Sequence, residues 1–133
     1  MSAEHHPYIP ASESPPELTL RVIVVGVLLG ILMTAANAYL GLYAGMTVSA
    51  SIPAAVMSMI ILRTIFSDVS ILENNAVQTM ASAGESLAAG IIFTVPALLV
   101  IGLWDDIQWM DTLIIATLGG LLGTMFTIAL RRL

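Results

Sequence analysis

The sequence contains no cysteine and no lysine. Without Cys there is no disulfide framework, no thiol nucleophile and no Cys-based zinc or iron–sulfur site. Without Lys there is neither a Walker lysine nor a Schiff-base lysine, which excludes nucleotide-driven chemistry within the chain. Charge of either sign is scarce: 10% of the 133 residues are charged, against about 25% in soluble domains. Four Arg within a net charge of −5 offer no basic face for a phosphate backbone, so nucleic acid is not a partner. GxSxG and HExxH are absent, and no His lies in any apolar run, so no catalytic residue, metal ligand or cofactor is assigned.

What is present is apolar. The chain is 58% AVILMFWYC even before its 10 Gly are counted, against about 45–50% with Gly included in soluble domains. Such a chain cannot cover a water-facing surface, and its solvent is lipid. Residues Met1–Glu17 are polar and Pro-rich without apolar periodicity and read as a disordered tail. The His5-His6 pair within it has no third ligand and defines no metal site. From residue 18 to 133 the chain reads as one all-α integral membrane domain. Four stretches approach the roughly 20 residues needed to cross a hydrocarbon core: about 22–43, 48–65, 72–103 and 112–130.

The charges test that count. Arg21 precedes the first stretch, Arg63 closes the second and Arg131-Arg132 close the fourth, so four crossings gather every Arg on one side. Trp104, Asp105, Asp106, Trp109 and Asp111 fall on the other. By the positive-inside rule both ends of the membrane domain are cytoplasmic. A cleaved signal peptide is the rival reading of the first stretch, since Arg21, Val22–Met33 and Ala36-Asn37-Ala38 imitate its three regions. The acidic, long leader and the apolar run beyond Ala38 speak against it.

Two patterns stand out within the apolar stretches. Gly26, Gly30, Thr34, Asn37, Gly41 and Gly45 fall on one helical stripe with GxxxG spacing, a close-packing face in which the Asn37 amide needs a partner or borders a path. Ala50, Ala54 and Ser58 continue the theme, as do Gly119, Gly120 and Gly123. The second pattern is Asn74, Gln78, Ser82, Glu85 and Ala89, a polar stripe running into the third stretch. Counting 20 residues back from Leu103 places the stripe at or below the cytoplasmic interface. A helix over 73–103 would overrun the core, so steep tilt, a cytoplasmic extension, or a break near Gly84 with a re-entrant polar half is expected. Polar groups gathered on one face suit the lining of a solute path, the plainer reading being an amphipathic interfacial stretch. Glu85 is a candidate for proton exchange, with interfacial water or a pair with Arg63 as its alternatives.

The blocks Thr34-Ala35-Ala36-Asn37-Ala38-Tyr39-Leu40-Gly41-Leu42-Tyr43-Ala44-Gly45-Met46-Thr47 and Glu73-Asn74-Asn75-Ala76-Val77-Gln78-Thr79-Met80-Ala81-Ser82-Ala83-Gly84-Glu85-Ser86, continued by Phe93-Thr94-Val95-Pro96-Ala97-Leu98, resemble the oligopeptide transporter family. The likeness is to its prokaryotic branch, related to the yellow-stripe-like metal–chelate carriers, and covers about Pro16 to Leu133. It implies a polytopic secondary carrier in a bacterial or archaeal inner membrane. Such a carrier moves small peptides or peptide-like metal chelates, with proton coupling. It also implies that the chain is the amino-terminal portion of a carrier with many more spans, and that Asn75, Gln78, Thr79 and Ser82 line the pathway. Expected partners are the bilayer, the remaining transmembrane helices or a homo-oligomer, and the solute. The competing reading is a small helix bundle that assembles through its glycine faces and transports nothing.

Overall fold

The computed structural model describes residues 9–10 and 12–131; the His5-His6 pair and Arg132 lie outside the described residues. The described chain forms four helices: α1 Leu20–Ala44, α2 Ser51–Ile65, α3 Ile71–Val100 and α4 Trp109–Leu130. Local chemistry sets their ends. Thr19 caps α1 by accepting from the Val22 N–H, and α1 stops at Gly45, whose φ of 67° is accessible to glycine at little cost. α3 opens with a reciprocal capping box between Ser70 and Glu73.

Helices α1, α3 and α4, with 25, 30 and 22 residues, are long and apolar enough to cross a membrane. The second stretch differs from expectation. Its helix has only 15 residues, about 22 Å of rise against a core of about 30 Å, and Val48, Ser49 and Ala50 lie outside it. Nor does α3 break at Gly84. It runs unbroken through its polar half, about 45 Å in all, so tilt or extension beyond the core accommodates its length.

The contacts fix an alternating path. α1 and α3 run parallel and side by side, Arg21 meeting Glu73 at one end and Gly41 facing Ile92 farther along. α2 runs antiparallel to α3, with Ser51 beside Ser82 and Ser58 beside Asn74. α4 returns along the far side of α3, so that Arg21, Arg63 and Arg131 share one end of the bundle and Trp104 and Trp109 the other. Val22, Val25 and Leu29 of α1, Ala54 and Leu62 of α2, and Val77 and Ala81 of α3 form the core. In lipid this cluster is held by close packing rather than by escape from water, which is why small residues matter at the α1–α3 seam.

At that seam a Cβ added to Gly26 would meet the Met80 side chain, and one on Gly30 would lie 3.6 Å from Met80 O. Gly84 contributes from the α3 side, where an added Cβ would stand 2.8 Å from Thr34 Oγ1 and 3.3 Å from Gly30 O. The other expected packing glycines behave differently. Gly45 is a helix terminator, and nothing lies within 4 Å of a Cβ added to Gly45, Gly119 or Gly123. No residue of α4 is buried, and of its three glycines Gly120 alone meets a neighbour among the described residues, with Leu87 Cδ1 3.9 Å from an added Cβ.

Candidate functional site

At the arginine-bearing end, Glu73 is almost wholly buried and accepts from Arg21 Nε at 2.8 Å and Nη2 at 2.7 Å, from the Thr19 hydroxyl, and from the Ser70 N–H. Arg21 also donates to the Asp68 carbonyl and lies over the Phe66 ring. This clasp ties the start of α1 to the α2–α3 turn. Every acceptor position on the carboxylate is occupied by a donor from this turn or from α1, which makes the clasp a structural tie.

Above it, the polar stripe of α3 divides. Asn74, Ser82 and Glu85 face α2: the Ser58 hydroxyl donates to Asn74, the hydroxyls of Ser51 and Ser82 are 3.0 Å apart, and the Ala50 N–H donates to Glu85 Oε2 at 3.2 Å. Gln78 is half-buried on the same side. Asn75 and Thr79 are exposed on a different face, where the Thr79 hydroxyl returns to Asn75 O at 2.8 Å. The six expected pathway residues therefore do not form a single surface.

The contacts also set the level of the stripe within the bundle. Gly84 packs against Gly30 and Thr34, near the middle of α1, and Leu87 reaches Gly120, near the middle of α4. Glu85 thus lies level with the middles of α1 and α4. It is buried, and its bonded partner is the N-terminus of α2, not Arg63. A carboxylate suits that position because the helix dipole presents its positive end there.

It follows that α2 begins midway through the bundle. Between the end of α1 and that point, Gly45–Ala50 returns inward without regular secondary structure. Asn37, buried on α1, secures it: its amide Nδ2 donates to Val48 O at 2.8 Å and its Oδ1 accepts from the Val48 N–H at 3.0 Å. One side chain thereby replaces the residue that would exchange both bonds with Val48 in an antiparallel pair. The main-chain groups of Met46, Thr47 and Ser49 form no hydrogen bond among the described residues, and Met46, Val48 and Ser49 are exposed. The hydrophobic run over 48–65 concealed this segment; Ser49, Ser51 and Pro53, residue types typical of a helix start, were the signal that could have marked it.

A cleft of about 540 Å³ separates α3 from α4, with Ser86, Gly90, Thr94, Thr112, Gly120 and Thr124 among its lining. Its four hydroxyls donate to carbonyls four residues back in their own helices, leaving a surface with few free donors. Among the described residues no cluster of His, Cys, Asp and Glu could hold a metal ion.

An irregular segment, secured by a buried amide and a buried acid, thus lies level with Glu85 midway along the bundle. The family described as OPT oligopeptide transporter protein matches residues 17–133. A Haemophilus influenzae protein named "Putative oligopeptide transporter" is 52% identical over 94 residues, covering 71% of this chain and 14% of its own length. The chain thus spans about one-seventh of that relative, and no solved structure matches it. With all but its first 16 residues inside the match, the chain belongs to the OPT oligopeptide transporter family.

Proposed function

We propose that the chain forms part of a multi-pass secondary carrier in a cell membrane, moving oligopeptides or peptide-like metal chelates with proton coupling. Its arginine-bearing end is cytoplasmic by the positive-inside rule. The observation that supports this most is the short α2, whose N-terminus and preceding irregular segment lie level with Glu85. Non-helical backbone at that depth is tolerated where it is enclosed by protein or lines a water-filled cavity. Asn74, Gln78, Ser82 and Glu85 border the α2 side of this path, Asn75 and Thr79 contribute a second polar face, and Asn37 shapes the segment between them.

Glu85 is the proton-exchanging group in this reading, being the acidic member of the polar stripe, with no basic side chain paired to it among the described residues. No bond-making chemistry is involved. Replacement of Gln78 or Glu85 by Ala in the intact carrier is expected to cut uptake of labelled peptide while membrane insertion stays normal. Glu85→Gln is expected to remove the pH dependence of whatever uptake remains. Unaltered uptake in all three variants would remove the reading.

A further inference from the structure

Helix α2 starts without a cap of its own. Its N-cap residue is Ala50, which makes no side-chain cap bond, and Pro53 in the first turn brings no N–H. Glu85 of α3 stands in for the missing cap, its Oε2 accepting from the buried Ala50 N–H at 3.2 Å. Two neighbouring ties hold the same stretch of chain: Asn37 of α1 takes both main-chain groups of Val48, and the Ser82 hydroxyl meets that of Ser51. The amide and the hydroxyls carry no titratable charge. Glu85 alone among these partners changes charge with pH. No second titratable group faces it among the described residues. On α1, Arg21 is engaged by Glu73 at the arginine-bearing end, and Tyr39 and Tyr43 are exposed and stacked on each other. Arg63 lies in the last turn of α2, Glu73 in the first turn of α3, Asp111 in the first turn of α4, and Arg131 after its last. Asp68, Asp105 and Asp106 occupy the connections at the ends of the bundle.

From this geometry we infer that proton uptake by Glu85 loosens the chain entering α2, the carboxylate acting as a charge-dependent latch on Ala50. This rests on the carrier reading above. An ionised carboxylate accepts a hydrogen bond about twice as strongly as a neutral group does, and its charge complements the positive end of α2. A proton added to a carboxylate oxygen removes the charge that supplies both. The bonds of Asn37 to Val48 and of Ser82 to Ser51 are left in place, so the segment is released at Ala50 and stays anchored on either side. Glu85 is thereby a positioning residue as well as a proton acceptor: its charge sets how firmly the chain beside the proposed path is held.

The test follows hydrogen exchange of the Ala50 amide in the purified intact carrier, corrected for the intrinsic pH dependence of exchange. The pH is lowered from about 8 to about 4, a range through which carboxyl groups in folded proteins take up a proton. In wild type the protection of Ala50 should fall about five- to tenfold, the difference between a hydrogen bond to a charged and to a neutral acceptor, while the amides of the α1–α3 seam keep theirs. Glu85→Gln retains an acceptor without the charge. Its Ala50 protection should lie at the lower level throughout and show no step with pH, a behaviour that a purely structural contact would not produce. The wild-type profile needs no variant, so a Glu85→Gln protein that fails to fold leaves the test standing. Protection of Ala50 that stays constant with pH in wild type, or that falls equally in Glu85→Gln, would overturn the inference. Uptake of labelled peptide by the same wild-type preparation in vesicles separates the two readings. Peptide uptake with constant Ala50 protection removes the latch and leaves the carrier reading, whereas a clear step in protection without any peptide uptake defeats the carrier reading and leaves the latch.

Discussion

Replacing Asn37 with Leu removes a buried amide of nearly the same volume and leaves two main-chain groups of Val48 without partners. Each unsatisfied group costs about 1–3 kcal/mol when buried. The Val48 side chain is 54% exposed, so water entering the path recovers part of this, and the low end applies: about 1 kcal/mol per group, about 2 kcal/mol together. That shifts the opening equilibrium of the Gly45–Ala50 segment about 30-fold. Amide hydrogen exchange followed by mass spectrometry of the 45–52 region in purified carrier measures it directly. Exchange of its bonded amides, Val48 and Ala50, should quicken by about that factor while the amides of the α1–α3 seam keep their protection. Asn37→Asp retains the acceptor for the Val48 N–H but loses the donor to Val48 O, and should fall between the two. Exchange unchanged in Asn37→Leu would refute the reasoning that this amide holds the segment in place.

The seam and the clasp give two further tests. Gly84→Ala places a methyl group against Thr34 Oγ1 and Gly30 O and should destabilise the bundle by about 1–3 kcal/mol in detergent unfolding, as overpacking does. Thr34→Ala should partly restore it, whereas Gly90→Ala, with nothing within 4 Å, should be neutral or stabilising by up to about 1 kcal/mol. At the clasp, Arg21→Ala leaves the buried Glu73 carboxylate without its compensating charge, whereas Glu73→Gln removes the charge itself. The arginine replacement should therefore lower the melting temperature more, and the reverse order would contradict the account of the clasp.

Much of the fold was legible in the sequence because lipid imposes simple rules. Apolar length gave the positions of three full spans, and the placement of Arg21, Arg63 and Arg131 required an even number of passes. The Gly26–Gly30 spacing announced a close helix contact, although its partner, the Met80–Gly84 turn of α3, could not be read from spacing alone. Hydropathy alone places a polar stripe outside the core. In the folded chain α2 runs alongside that stripe and supplies Ser51 and Ser58 as partners to Ser82 and Asn74, with the Ala50 N–H facing Glu85, so the polar groups can remain inside the bundle. The unwound segment escaped notice for a related reason: Val48–Ile65 is apolar enough to pass for a span, which outweighs the helix-start residues Ser49, Ser51 and Pro53, and the tertiary bonds to Asn37 and Glu85 hold the chain before them out of the helix. Gly119 and Gly123 show the opposite limit, a packing pattern whose partner does not lie among the described residues.

The central claim is that the chain before α2 borders an aqueous path at mid-depth. The native sequence contains no cysteine within these 133 residues, so single cysteines at 47, 49 and, as a lipid-facing control, 24 can be compared in the intact carrier with a membrane-impermeant thiol reagent. The account predicts rapid labelling at 47 and 49, slowed by a transported peptide, and none at 24. Positions 47 and 49 as unreactive as 24, with or without peptide, would contradict it.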